Sequence, residues 1–149
     1  VVQMDADFSH SPRALPHLIQ LTERYDVSVG SRWVPGGGTK HWPWFRRALS
    51  QCGSFYARHL LALPVSDTTS GFKCIRRRVL EALPLDELQS SGYVFQIELL
   101  HRALSSGFTI TETPITFVER TEGASKMTSR IVIEAIVRVP LLRIAGGNL

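Results

Sequence analysis

Cysteine is scarce: Cys52 and Cys74 are the only two in 149 residues. They form no CxxC pair and no cysteine-rich framework, so neither a zinc site nor a disulfide scaffold is indicated. Dense basic runs are lacking too. The 17 lysines and arginines against 13 acids leave a net charge of +4 and a pI near 9.5, which suits an anionic partner such as a nucleotide or a phospholipid surface. The basic residues are scattered or paired, as in Arg46 and Arg47, and no nucleic-acid partner is expected. No charged leader precedes a long apolar stretch, so no signal peptide is visible, and the cytoplasmic face of a membrane is the default setting. Repeats and low-complexity tracts are absent.

What is present reads as a globular domain. Hydrophobic residues make up 44% and charged residues 20%, close to soluble averages. A chain of this length buries about 70% of its unfolded surface around one core. Val1 to Met4 reads as the end of a buried strand, followed by a polar loop from Asp5 to Ser11. Because Val1 and Val2 run straight into acidic residues, as though a strand had been cut near its end, the chain reads as a fragment. A helix starts at Ser11-Pro12 and becomes regular from Pro16 to Tyr25. Val27, Val29, Trp33 and Val34 mark a second strand that enters a mobile loop at Pro35 to Gly38. A helix from Phe45 to Leu63 places Leu49, Tyr56, Leu60 and Leu61 on one face, stopped by Pro64. A short helix follows at Arg77 to Leu83. Ile97, Leu100 and Leu104 recur at helical spacing, capped by Gly107, and Phe108 to Val118 reads as β. The last element, about residues 126–145, is apolar but carries Arg130, Glu134, Arg138 and Arg143. Those charges interrupt the roughly 20 apolar residues a membrane span needs, and an amphipathic helix lying in an interface is expected instead. Alternating β and α elements predict an α/β domain.

Asp5-Ala6-Asp7 is the sharpest chemical signal. Two carboxylates one residue apart, just past an apolar strand, suit a hard divalent cation that keeps open positions for diphosphate oxygens. The alternative is that Asp7 and Ser9 cap the next helix. Arg32 ends a strand just before a glycine run and can offer a guanidinium fork to phosphate; a surface salt bridge is the other reading. Trp42, Trp44 and Phe45 beside Lys40, Arg46 and Arg47 suit a headgroup layer or a prenyl phosphate, or else form a buried aromatic cluster. Arg120 and Lys126 flank a turn at Gly123. The five histidines show no metal-ligand spacing, although His10 lies beside the aspartates.

Six blocks taken in order extend these signals: Met4 to His10, Gly30 to Gly38, Trp42-Pro43 with Arg46-Arg47, Thr69-Ser70-Gly71-Phe72, Gly92 to Gln96, and Pro114 to Arg120 running on to Ser125-Lys126-Met127. Together they resemble dolichol-phosphate (polyprenyl-phosphate) mannosyltransferases, inverting family 2 glycosyltransferases of the A-type fold, a Rossmann-like mixed sheet flanked by helices. The resemblance implies transfer of mannose from GDP-mannose to a dolichyl or polyprenyl phosphate at a membrane. It implies that Asp5 and Asp7 are a metal-binding DxD motif for magnesium or manganese, Asp7 the more direct ligand. It further implies that Arg32 and Arg46 orient donor and lipid phosphates, that Ser50 lies near the acceptor, and that Arg120 and Lys126 close over the site. The strands that bind the nucleotide base in such enzymes have no counterpart here, so the isolated chain is expected to be weakly active or inactive. Three other readings stand beside this one: a prenyl-phosphate glycosyltransferase using another donor such as UDP-glucose, a phosphatase of the haloacid dehalogenase type with Asp5 as nucleophile, and a noncatalytic membrane-binding module whose aromatic loop and terminal helix bind lipid. The second lacks its later acidic metal motif.

Overall fold

The structure, a computed structural model, describes residues 1–88, 90, 92–119 and 129–146. Four strands make the main sheet in the order β1 (Val2–Gln3), β4 (Lys73–Ile75), β2 (Val27–Ser31), β5 (Ile110–Pro114). Strand β4 is antiparallel to both of its neighbours, whereas β2 and β5 are parallel. Consequently β1, β2 and β5 run in one direction, and their carboxyl ends emerge at one edge. The expected mixed α/β architecture is present.

Helices pack against both faces of the sheet, each over its own apolar cluster. On one face Leu18 of α1 (Leu15–Leu21) packs with Phe72, Cys74 and Ile115, and the Ser28 hydroxyl donates to the Leu18 carbonyl at 2.7 Å. The larger core lies on the other face. There Val27, Val29 and Ile75 meet Ala57 and Leu61 of α2 (Trp44–Leu61), Val79 of α3 (Arg77–Ala82), Ile97 and Leu100 of α4 (Gly92–Ser105), and Val139 of α5 (Ser129–Gly146). Phe108 to Val118 does not run as one strand. After Ile115 the chain leaves the main sheet, and β6 (Thr116–Val118) pairs in parallel with β3 (Gly38–Lys40) as a separate ribbon.

Four local expectations need correction. Strand β1 is at the sheet edge, and Val1 and Val2 are exposed rather than buried. The first helix is shorter than expected: a 3₁₀ turn at Pro12–Ala14 leads into α1 with Pro16 inside its first turn, and α1 ends at Leu21. The glycine run is not a free loop, since Gly37 N–H donates to Val34 O at 2.9 Å and Gly38 N–H to Ile115 O at 3.0 Å. A Cβ on Gly37 would stand 2.6 Å from the Ser31 carbonyl oxygen, so that turn requires glycine. Finally, α2 buries Arg46, Ser50, Ser54, Ala57 and Leu61, while Leu49 and Tyr56 lie outward. With α5 packed against it, this helix has a buried face made mostly of small and polar side chains. Ala62, in the left-handed region at φ 52°, ends it before Pro64 is reached.

Candidate active site

The shared direction of β1, β2 and β5 brings distant residues to one edge, the place where open α/β sheets bind ligands. Strand β1 delivers Asp5 and Asp7, β2 delivers Arg32, and β5 with β6 delivers Phe117 and Glu119. The turn ahead of β4 closes the floor. There Asp5 lies over Gly71, whose added Cβ would be 3.6 Å from Asp5 Oδ1.

A cavity of about 480 Å³ opens at this edge, lined by Asp5, Asp7, Arg46, Thr69, Gly71, Tyr93, Gln96, Phe117 and Glu119. Next to it is a more apolar groove of about 240 Å³, lined by Arg32, Trp42, Leu49, Ser50, Tyr56, Ile97, Ile136 and Val139. Thr69 and Tyr93 border both. Of the sequence-expected residues, Asp5, Asp7 and Arg46 therefore share one cavity, and Arg32 and Ser50 line its neighbour. Arg120 and Lys126 lie outside the described residues.

The acidic loop is held from three sides. Asp7 Oδ1 accepts the Ser9 amide at 3.1 Å and also the Ser9 hydroxyl. Asp7 thus folds its own turn, and the 3₁₀ helix at Pro12 has no side-chain cap, which disposes of the helix-capping alternative. Phe8 takes a left-handed φ of 60°, and the Ser9 carbonyl accepts the Val118 amide at 3.0 Å. Behind the loop, buried His10 stacks on Phe72, with ring centroids 4.9 Å apart. Its Nδ1 accepts the Asp5 amide at 3.4 Å, a role that requires a neutral ring. Burial lowers the His10 pKa, which favours that form.

Each arginine meets a carboxylate. Arg32 donates from Nε and Nη2 to the two oxygens of Asp67 at 2.6 and 2.7 Å, and its own amide donates to Asp67 Oδ2 at 3.0 Å. Asp67 is fully buried. The Arg32 guanidinium carbon also lies 5.1 to 5.7 Å from the ring centres of Trp33, Trp42 and Phe117. Arg46 instead donates from Nη1 alone to both Glu119 oxygens, at 2.5 and 2.6 Å, and its guanidinium carbon is 4.1 Å from the Trp42 ring centre. Beneath the site, Lys73 is fully buried and donates to the Ser70 carbonyl and to Gln96 Oε1. Burial pulls its pKa from 10.5 down to about 7.

Asp67, Lys73 and Glu119 carry no role in the sequence reading. The nearest signal for Asp67 is its place two residues ahead of the Thr69 to Phe72 block; Lys73, in a short apolar strand, offers none.

The residues at the edge fit a divalent cation. Two carboxylates facing a cavity, without a third acidic, His or Cys ligand grouped with them among the described residues, match the habit of magnesium. That ion takes one or two protein carboxylates and completes its shell with substrate phosphate and water.

An open α/β domain with an acidic pair after β1, Arg32 after β2 and Arg46 on α2 gathered at one sheet edge suits a ligand that carries phosphate. The family can be stated: the chain belongs to glycosyl transferase family 2, whose model matches residues 1–83, the span holding Asp5, Asp7, Arg32 and Arg46. That membership overturns the phosphatase alternative. The chain is also 44% identical over 147 residues to the polyprenol monophosphomannose synthase of Mycolicibacterium smegmatis, covering 98% of this chain and 56% of that protein. It is 45% identical over 139 residues to the undecaprenyl-phosphate mannosyltransferase of Micrococcus luteus, covering 93% and 57%. The chain therefore spans a little over half the length of these curated relatives.

Proposed function

We propose that the chain is the carboxyl-terminal part of the catalytic domain of a polyprenyl-phosphate mannosyltransferase, which moves mannose from GDP-mannose to a dolichyl or polyprenyl phosphate with inversion, giving a β-mannosyl phosphate lipid. The observation that carries this reading is the pair of adjoining cavities, one holding Asp5, Asp7 and Arg46 and the other apolar and walled by α2, α4 and α5. A reaction between a sugar nucleotide and a lipid phosphate needs such neighbours. The names of the two relatives support the same acceptor chemistry.

Magnesium or manganese, when bound at Asp5 and Asp7, supplies charge neutralisation for the departing diphosphate. The chain's own residues do the rest. Asp5 and Asp7 are positioned by His10, Ser9 and the floor at Gly71. Arg32 and Arg46 provide positive charge around the phosphates, and Ser50 faces the groove that receives the first prenyl units. A phosphate monoester is largely ionised near neutral pH, so its oxygen attacks the anomeric carbon without a strong general base, and positioning dominates.

Membrane contact has a physical basis in exposed apolar side chains. Trp44 and Phe45 at the start of α2, and Ile136, Val137, Leu141 and Ile144 on α5, all face outward. Among the described residues no helix is long and apolar enough to cross a membrane. We place α5 in the interface of the cytoplasmic face, with the protein peripheral or tethered by a segment outside this chain.

Asp5→Asn and Asp7→Asn in the full-length protein test the reading. Transfer of labelled mannose from GDP-mannose to undecaprenyl phosphate should fall at least about a hundredfold, the scale of several kcal/mol of lost charge stabilisation. Unchanged transfer in both variants would remove the metal role.

A further inference from the structure

We infer that Glu119 is the resident counter-anion of an anion-binding guanidinium at Arg46, and that the acceptor's phosphate monoester enters by displacing it. This rests on the proposed transferase reading and adds to it the residue that sets the acceptor's affinity.

The manner of pairing carries the inference. Asp67 takes the two-nitrogen fork of Arg32 and adds a backbone amide, the strongest geometry open to that pair. Glu119 holds Arg46 through Nη1 alone. Arg46 is about nine-tenths buried, and its buried Nε has no hydrogen-bond partner among the described residues. A buried guanidinium with an unused donor is an anion site only partly filled. It lines the cavity that also contains Asp5 and Asp7, so an anion there would lie beside the donor. Glu119 is at the rim with a quarter of its side chain exposed. Its backbone is fixed, because its amide donates to the Lys40 carbonyl at 3.1 Å. Side-chain rotation alone can release Arg46.

Charge decides which ligand wins. Glu119 brings one negative charge, whereas a phosphate monoester brings about 1.5 to 2 at pH 7 with three acceptor oxygens. In the transfer, an acceptor oxygen bonds to the anomeric carbon, and the bond from that carbon to the diphosphate oxygen breaks with its electron pair leaving on the nucleotide. The acceptor becomes a diester with a single charge. Competition from Glu119 weakens acceptor and product by the same factor. The doubly charged acceptor still holds Arg46, and the singly charged product gives it back.

Titration of the protein with farnesyl monophosphate, read by the fluorescence of the tryptophans beside Arg46, tests this. Glu119→Gln should tighten farnesyl monophosphate and inorganic phosphate about tenfold, the scale of one charge-assisted hydrogen bond, with the farnesyl compound tighter in both forms because of the groove. Mannosyl transfer by that variant should show a lower acceptor KM and stronger product inhibition. Adding Arg46→Gln should erase the gain, whereas a gain that persists without Arg46 would overturn the inference. Equal affinities in parent and Glu119→Gln, with transfer intact, would overturn the inference and leave the transferase reading standing. Absence of farnesyl monophosphate binding in every form, together with absence of transfer, would remove both.

Discussion

Arg32 follows β2 and Arg46 lies in the first turn of α2, and the two line adjoining cavities at one sheet edge with different partners. Arg32 is anchored in the interior by a fully buried aspartate that takes its fork and its backbone amide, and three aromatic rings surround it. Arg46 reaches the cavity wall, is held by one nitrogen, and rests on a single indole. A buried ion pair fixes geometry, because removing one partner strands the other charge in a medium that solvates it poorly. A pair whose carboxylate is partly exposed beside a cavity loses less when it opens, because water can reach the freed carboxylate. The same residue type is therefore locked to its carboxylate at one position and free to exchange it at the other, and exposure of the partner carboxylate makes the difference.

The strongest way to break this contrast is Asp67→Asn. It leaves the Arg32 charge buried without its counter-ion, so the protein should lose about 3–5 kcal/mol of stability, and melting should fall by roughly 10 °C. Glu119→Gln, measured alongside, should cost less than that, because Glu119 is a quarter exposed at a cavity that water can enter. Equal losses in calorimetry would erase the distinction.

A smaller effect comes from the third cation behind this edge. Lys73 lies near Asp67, which raises its pKa, but burial is the larger influence and sets it at about 7. In the unfolded chain the amine titrates near 10.4. Between those values the unfolded state binds more protons, so stability rises with pH across the window, and the penalty for burying the charge is complete below about pH 7. Lys73→Met removes that slope. Relative to the parent, the variant should gain about 2 kcal/mol or more at pH 6 over its value at pH 10, read from urea midpoints at the two pH values. A difference independent of pH would show that Lys73 keeps its proton in the fold.

The smallest expected effect probes the residue shared by both arginines. Trp42 lies 5.2 Å from the Arg32 guanidinium carbon and 4.1 Å from that of Arg46. Trp42→Leu should cost about 1 kcal/mol through the lost cation–π contacts. Arg46 should bear more of it than Arg32, which keeps Trp33, Phe117 and Asp67. A double-mutant cycle pairing Trp42→Leu with Arg46→Gln should show coupling that the cycle with Asp67→Asn lacks.

Much of this edge was legible in order along the chain. The acidic pair, the arginine after β2, the Thr69 to Phe72 turn and the start of α4 are local patterns with local meaning, and each lies where two elements join. The helix periods around Ile97 to Leu104 and the cap at Gly107 were equally readable, since a helix declares its buried face every three to four residues. For α2 the same rule misled. Leu49 and Tyr56 suggested the core face, but the buried face carries Arg46, Ser50, Ser54 and Ala57, and the larger residues line the groove. The short pieces Val2–Gln3 and Gly38–Lys40 gave too few residues for any period to show their pairing.

The amino-acid order alone determined the alternation of strands and helices, the family, and the presence of two carboxylates and an arginine where strands end, because these depend on neighbours within a few positions. Only the tertiary structure decided that Asp67 belongs to Arg32 and Glu119 to Arg46. Those partners are 35 and 73 residues apart, and a single antiparallel strand inserted between β1 and β2 turns three chain ends toward one edge. Burial, a property of the assembled sheet and its helices, then made one pair fixed and the other open to exchange.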